Sequence, residues 1–156
     1  MTEGDFMELV KQNRQTVFRA AYCQLKSYSE AEDITQEVFL ALYTYEGSFN
    51  DDSHIKAWLL RVTVNKCRNL LKSAFRRFVV PLDEAADKAA FAEENELLNV
   101  VMTLKPKLRT PLYMYYYEEY SVKEMAQMLD RNESTIQTQL AAARKKLKKF
   151  IEKEGA

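Results

Sequence analysis

Residues suited to binding nucleic acid are concentrated in a basic stretch, residues 54–77. The stretch carries seven Lys and Arg residues and no Asp or Glu, in a chain of 156 residues whose formal net charge is zero. Its apolar residues recur at helical spacing up to Val62 and resume at Cys67, which predicts a helix with one apolar side, one cationic side and an interruption at residues 64–66. Three interpretations are open: a core helix with a solvated face, a membrane-surface helix, or a nucleic-acid-binding surface.

A second group of binding residues lies near the carboxyl terminus. Ser121 and Glu124 have capping-box spacing and begin a helix that ends at residues 130–132; a second helix follows, with Asn132 as its N-cap. Two helices joined by three residues have helix-turn-helix spacing. The first turns of the second helix would face base edges, and its later cations would reach phosphates. The predicted DNA contacts are Ser134, Thr135, Gln137, Thr138, Arg144, Lys145 and Lys148.

Residues typical of catalytic or metal sites are sparse. His54 is the only histidine, and Cys23 and Cys67 are far apart and form no C-x-x-C pattern. Zinc requires three or four clustered ligands, and the sequence has no nucleophile-base pair and no phosphate-binding loop. We therefore predict two reduced thiols, no catalytic residue, no metal site and no cofactor.

The composition indicates the fold class. Three Gly and three Pro residues in the whole chain favour helices throughout, so the predicted class is all-α. No apolar run approaches the roughly 18 to 20 residues that span a bilayer, and the acidic amino terminus differs from a secretory signal. These features predict a cytoplasmic protein without membrane insertion.

An acidic segment divides the chain. Residues 81–99 hold six acidic residues and one basic residue, and few large apolar ones. This composition predicts a linker between two small helical domains. The predicted boundaries are 1–80 for the first domain, 81–96 for the linker and 97–156 for the second domain.

Two further helices are predicted before the basic stretch. The first spans residues 5–26 and is capped by Asp5, and the second runs from an N-cap at Ser29 to about Tyr45. The second helix buries its apolar residues, and its other face is polar. A solvated surface is the simplest explanation of that polar face. Its main polar residues are Asp33, Gln36 and Glu37.

The segment 112–120 is rich in tyrosine and follows two prolines. Pro106 and Pro111 each favour a helix start or a turn. Aromatic residues at helical spacing are usually the core of a small helical domain, although a stack for single-stranded bases is an alternative. Taken together, the residues favour DNA binding over a protein-interaction module with incidental basic faces.

Two sets of motifs resemble the extracytoplasmic-function sigma factors. AEDITQEVFLALY at 31–43 and AWLLRVTVNKCRNLLKS at 57–73 are similar to the family's region 2, which commonly has W-L-x-R-[IV]-x-x-N. Residues 104–147 are similar to region 4. The resemblance covers nearly the whole chain, and the order and spacing of the two sets make it specific. Such proteins are small two-domain subunits that direct bacterial RNA polymerase to promoters.

The resemblance implies a role for each set of residues. In the family, D-x-x-Q-E-x-F docks on a coiled coil of the largest polymerase subunit. Region 2 melts and reads the -10 element, holding a flipped base in a loop near the asparagine that matches Asn65, and region 4 reads the -35 element. Trp58 is predicted to lie in the core and not at the duplex edge. The implied sites are core-polymerase binding by Asp33, Gln36, Glu37 and Phe39, and -10 binding by Arg61, Asn65, Lys66, Arg68, Asn69 and Lys72.

The implied partners are bacterial core RNA polymerase and promoter DNA, and the sequence leaves open whether an anti-sigma factor also binds. The alternatives are an autonomous helix-turn-helix repressor and a helical protein-interaction module. The chain departs from the family at Asp130, where Gly is common; Asp can adopt the left-handed conformation that this position needs. It also has Gln137 and Gln139 where Lys and Arg are common, which leaves the -35 sequence open.

Overall fold

The computed structural model describes residues 1–73 and 100–155, and its regular structure within these ranges is entirely helical. The chain divides into two compact units, Met1–Asp83 and Glu84–Ala156. The predicted all-α class is confirmed, whereas the predicted linker at 81–96 lies outside the described residues. The first unit contains α1 (Glu3–Leu25), α2 (Tyr28–Thr44) and α3 (Asp52–Lys72), and the second contains α4 (Pro106–Tyr116), α5 (Val122–Leu129) and α6 (Glu133–Gly155).

The first two helices begin earlier than predicted. The Thr2 hydroxyl accepts a hydrogen bond from the amide of Asp5 at 3.1 Å, so Thr2 is the N-cap of α1 and Asp5 completes a capping box. Helix α2 is capped by Ser27, whose hydroxyl accepts from the amide of Glu30 at 3.3 Å. The predicted caps, Asp5 and Ser29, therefore lie inside the first turns. Ser, Thr and Asp cap helices about equally well, so several candidates within three residues cannot be ranked by type.

Helix α3 is continuous through residues 64–66, so the predicted interruption is wrong. Thr63 fills the gap in the apolar pattern because it is fully buried and its hydroxyl donates to the Leu59 carbonyl at 2.7 Å. The buried stripe thus keeps helical periodicity. It packs on α1 and α2, and the core of this unit includes Val17, Ala21, Ile34, Val38, Leu42, Leu59, Leu60, Val64 and Cys67.

Helix α4 contains two prolines, and only the first marks its start. Pro106 occupies the first turn, where a missing amide costs nothing. Pro111 lies within the helix and cannot donate to the carbonyl of Lys107, four residues earlier. The guanidinium of Arg131 donates to that carbonyl at 3.4 Å. The helix start or turn predicted at Pro111 is wrong because α4 continues through it, and a distant side chain donates to the carbonyl that Pro111 leaves without a backbone donor.

The tyrosine-rich segment contributes to the core of the second unit. Tyr113 and Tyr120 are buried, whereas Tyr115 and Tyr116 are exposed. Burial, followed by the negative charges of Glu118 and Glu124, raises the pKa of Tyr120 to about 12. The core interpretation thus holds for part of the segment, and two of its rings face outward.

The helix-turn-helix forms as its spacing predicts. The Glu124 amide donates to the Ser121 hydroxyl, and the Ser121 amide donates to the Glu124 carboxylate, both at 3.1 Å, so the capping box is confirmed. Asp130 has φ 54° and ψ 51°, the left-handed conformation expected of it. The buried side chains between α5 and α6 include Met125, Leu129, Ile136 and Leu140. Phe150 and Ile151, near the end of α6, are exposed.

Candidate polymerase and promoter interfaces

One face of α2 is polar over its first turns and ends in exposed apolar residues. Asp33, Gln36 and Glu37 are exposed and lie three or four residues apart, which places them on one side of the helix. Leu40 continues this side and is 64% exposed. Tyr43 follows it, and its ring makes an edge contact with Phe6 at 5.1 Å between centroids. The face combines carboxylates, an amide and an exposed apolar end.

Phe39 does not belong to this exposed face. It is 6% exposed and lies among the buried residues of α2. A buried ring can support the adjacent residues Gln36 and Leu40 from below, but it offers little surface to a partner. The structure therefore separates Phe39 from the other three residues of the predicted polymerase site.

The outer side of α3 carries the predicted -10 residues. Arg61, Asn69 and Lys72 are exposed, and Asn65 and Arg68 are half-buried on the same side. These positions recur every three or four residues, opposite the buried stripe. Lys66, also half-buried, lies on a flank of the helix. The helix thus aligns cations and amides along about three turns.

A side-chain hydrogen bond joins two of these residues. A terminal guanidinium nitrogen of Arg68, Nη2, lies 2.7 Å from Oδ1 of Asn65, three residues earlier. Residues at this separation are neighbours on a helix surface. The charged Arg68 side chain therefore orients the Asn65 amide in the absence of a ligand.

An aromatic cluster lies beside the start of α3. The ring of Phe49 is 5.7 Å from Trp58, 5.1 Å from Tyr45 and 5.2 Å from His54, between centroids. Trp58 is half-buried in this cluster, as its predicted packing role requires. A Cβ at Gly47 would come within 2.4 Å of the Tyr45 ring, so any larger residue at this position would force that ring to move. The loop before α3 is thus anchored by tilted and edge-to-face ring contacts.

The first turns of α6 expose most of the predicted -35 residues. Ser134, Gln137 and Thr138 are exposed, and Thr135 is half-buried. The Thr138 hydroxyl donates to the Ser134 carbonyl at 2.9 Å, so its oxygen lone pairs remain available as acceptors. Lys145 and Lys148 are exposed further along the helix. Hydroxyls and an amide therefore precede the cations on the same element.

Two family models match this chain. The model for Sigma-70 region 2 matches residues 9–77, and the model for Sigma-70 region 4 matches residues 94–147. The chain belongs to the sigma-70 family. It is a sigma factor of the extracytoplasmic-function group, the proteins that direct RNA polymerase to promoters. The region 2 match includes α2 and α3, and the region 4 match includes α4, α5 and the first turns of α6.

Similar proteins cover most of this sigma factor. It is 27% identical to the ECF RNA polymerase sigma factor SigM of Mycobacterium tuberculosis, over 94% of this chain and 76% of the relative. It is 22% identical to SigW of Bacillus subtilis, over 94% and 88%. Its fold is similar to RpoE of Bartonella quintana, co-crystallised with the anti-sigma factor NepR, with a TM-score of 0.73, 17% identity and coverage of 95% and 97%.

Arg144 of this sigma factor is held by aromatic side chains. Its Nε donates to the Tyr116 hydroxyl at 2.8 Å, and its guanidinium carbon lies 5.4 Å and 5.6 Å from the ring centroids of Tyr115 and Tyr116. Tyr116 and Arg144 line an open apolar groove of about 440 Å³ together with Leu112. The predicted phosphate contact Arg144 is thus exposed but lies against the rings of α4.

Arg131, in the turn between α5 and α6, makes hydrogen bonds that the sequence patterns did not predict. Arg131 donates to Oε1 of Gln139 at 2.8 Å as well as to the Lys107 carbonyl. Gln139 is only 5% exposed. The departure from the family at Gln139 therefore concerns internal packing, whereas Gln137 faces outward. No short-range pattern links Arg131 to Gln139, since the bond depends on the folded angle between the helices.

Other kinds of site were also sought in residues 1–73 and 100–155. Cys23 and Cys67 are buried free thiols. Among these described residues, no group of three or more His, Cys, Asp or Glu is arranged to hold a metal ion. Within the same ranges, no helix has the length and hydropathy needed to cross a membrane.

Proposed function

We propose that this sigma factor uses three helix faces for three separate contacts. The polar face of α2 binds core RNA polymerase, the outer side of α3 binds the -10 element, and the first turns of α6 bind the -35 element. The observation that supports this proposal is that each set of contact residues is mostly exposed, on a helix whose opposite side is buried. The assigned domains are residues 1–80 for region 2 and 97–156 for region 4.

Asp33, Gln36 and Glu37 form the proposed polymerase surface. Protein interfaces typically combine a small apolar centre with a polar rim. Leu40 supplies an exposed apolar side chain next to the carboxylates, so we add it to this surface. Phe39 acts through packing, because it is buried beneath the face.

The outer side of α3 is proposed to bind the opened -10 element. Arg61 and Lys72 neutralise phosphates, and Asn65 and Asn69 offer amides to bases. Because α3 is continuous, the captured base lies against an intact helix and the anchored loop before it. Extruding a base costs a few kcal/mol, which these contacts must offset. The cations of this set are Arg61, Lys66, Arg68 and Lys72.

The second unit is proposed to bind duplex DNA at the -35 element. Ser134, Thr135, Gln137 and Thr138 face base edges, and Lys145 and Lys148 contact phosphates. We assign Arg144 a smaller share, since Tyr116 already holds its Nε. The linker makes the second DNA contact effectively intramolecular, so two weak contacts combine into a stronger one.

The remaining proposals concern setting and partners. This sigma factor has no catalytic residue of its own, because the polymerase performs the chemistry, and it acts in the cytoplasm without a cofactor. An anti-sigma factor is a further proposed partner. RpoE of Bartonella quintana, which shares the fold, was crystallised with one.

Transcription from a promoter library tests this function. We expect the full-length protein, mixed with core RNA polymerase, to start transcripts only from promoters that share a -10 and a -35 element. Absence of promoter-dependent transcripts, with tight duplex binding by the protein alone, would indicate an autonomous repressor instead.

A charge reversal tests the polymerase face. Glu37→Lys should abolish co-elution with core RNA polymerase, because it places a cation in an acidic contact surface. Glu8→Lys is the matched control: it makes the same charge change at an exposed position of α1. Unchanged co-elution of Glu37→Lys would remove Glu37 from the interface.

A further inference from the structure

The hydrogen bond between Arg68 and Asn65 determines the orientation of the Asn65 amide. Arg68 Nη2 and Asn65 Oδ1 are 2.7 Å apart. A guanidinium carries five N–H donors and no acceptor, so only the oxygen of an amide can face it. The ambiguity that usually affects the two ends of an asparagine amide is therefore removed by the partner's chemistry.

The same bond leaves the other end of the amide available. Nδ2 of Asn65 carries two N–H donors. Within residues 1–73 and 100–155, the structure gives this nitrogen no acceptor. Asn65 is half-buried in the row that contains Arg61 and Asn69. A ligand at this row therefore meets two N–H donors that are open, and an oxygen that is turned toward Arg68 with one of its two lone pairs already used.

Base edges differ in how they respond to a donor. An asparagine that binds adenine in the usual way accepts from N6 and donates to N7, so it needs its oxygen. Guanine and thymine carry keto oxygens, O6 and O4, where adenine and cytosine carry amino donors. An amide whose oxygen is turned toward Arg68 presents its N–H donors to a base, so it favours the keto bases over the amino bases.

We propose that Arg68 is a positioning residue that orients the N–H donors of Asn65 toward the DNA, so that Asn65 favours a keto base, guanine or thymine, in the -10 element. The proposal rests on the -10 role proposed above for Asn65. It adds a class of base and gives Arg68 a role in specificity beyond its charge.

The test uses full-length protein with core RNA polymerase and a promoter library randomised across the -10 element, followed by transcript sequencing. Asn65→Ala identifies the position that Asn65 reads, because preference there flattens. At that position the wild type should favour guanine or thymine over adenine or cytosine by about tenfold.

Two substitutions of Arg68 distinguish its effect on base preference from an effect on folding. Arg68→Met frees the Asn65 oxygen, so adenine should come within about twofold of the keto bases, since the usual bidentate pair becomes available. Arg68→Lys should keep the wild-type preference, because an ammonium also only donates. Thermal unfolding of each variant verifies that the fold is intact.

Several results would overturn the proposal. One is an adenine preference of the wild type at the Asn65-dependent position. Another is lower output from Arg68→Met with unchanged base preferences, which would mean that Arg68 has only a structural role. Uniform loss with Asn65→Ala over all sequences would indicate a phosphate contact. If Asn65→Ala changes neither output nor preference, the -10 assignment of Asn65 itself fails, and this inference fails with it.

Discussion

The two proposed DNA-binding helices, α3 and α6, present their polar groups in different ways. On α3, Asn65 and Arg68 are half-buried and hydrogen-bonded to each other. On α6, Ser134 and Gln137 are exposed in the first two turns, and exposed lysines follow near the middle of the helix. The polar groups of α3 are oriented by a side-chain hydrogen bond before DNA binds, whereas the exposed side chains of α6 can adopt several rotamers.

This difference predicts which promoter element is read with the stronger base preference. A group already held in place loses little entropy on binding and tolerates few alternative partners. Exposed hydroxyls and amides adapt to several bases, and lysines bind phosphates without reading sequence. We therefore expect sharper base preferences in the -10 element than in the -35 element.

The largest expected effect is the loss of stability of one unit while the other unit keeps its stability. Ile136 is fully buried between α5 and α6, so Ile136→Ala should destabilise the second unit by about 2 to 5 kcal/mol. Urea denaturation followed by far-UV circular dichroism should show this loss. Trp58, the single tryptophan, lies in the first unit, and its fluorescence transition should stay in place.

Leu60→Ala is the matched control in the first unit, because Leu60 is equally buried. It should shift the Trp58 transition. If Ile136→Ala shifts the circular dichroism transition and the Trp58 fluorescence transition together, the two units do not unfold separately.

The second effect is a response to alkaline pH in the second unit. The pKa of Tyr120 is raised to about 12 from an ordinary value of 10, first by burial and then by Glu118 and Glu124. Because the folded-state pKa exceeds the unfolded one, the contribution is complete below pH 10 and is lost as pH rises toward 12. The loss should not exceed about 3 kcal/mol. Urea midpoints of wild type and Tyr120→Phe measured across this range test the prediction, and equal pH dependence of both would contradict it.

The third effect concerns the bond that fastens α6. Gln139→Leu removes the acceptor of Arg131 at a buried position, so the second unit should lose about 1 to 2 kcal/mol. Gln137→Leu, the same change at an exposed position two residues earlier, should alter stability by less than about 0.5 kcal/mol. Denaturant midpoints distinguish the two, and equal values would mean that the Arg131 bond contributes nothing.

The smallest effect is expected at a single lysine of α6. Lys145→Ala should weaken promoter binding by the holoenzyme equally for all -35 sequences and lower the salt dependence by about 0.9 in the log-log slope, since one phosphate contact is lost. Lys146→Ala is the control, because it removes the same charge from the adjacent position. Binding measured over a salt series tests this, and a sequence-dependent loss would show that Lys145 reads bases.

Local signals in the sequence predicted the helix-turn-helix well. The Ser121 capping box and the left-handed Asp130 depend on neighbours within a few residues, so both were readable. The interruption in α3 was predicted wrongly because apolar residues alone were counted, while buried Thr63 satisfies its hydroxyl within the helix. In α4, Arg131 donates to the Lys107 carbonyl that Pro111 cannot reach, and no local pattern reveals a contact across 24 residues.

The candidate sites show the same limit. Helical spacing grouped Asp33, Gln36 and Glu37 on one face, but it could not show that Phe39 is buried. The spacing of Asn65 and Arg68 allowed contact, yet the hydrogen bond between them required the rotamers. Side-chain partners follow from packing, which the order of residues along the chain does not specify.

One measurement tests the central claim, the division of promoter reading between α3 and α6. A library randomised in both promoter elements is transcribed by holoenzyme containing wild type, Asn65→Ala or Gln137→Ala, and the transcripts are sequenced. We predict that Asn65→Ala flattens preferences only in the -10 element and that Gln137→Ala changes them, more weakly, only in the -35 element. Changes in the same element for both variants, or none for either, would contradict the account.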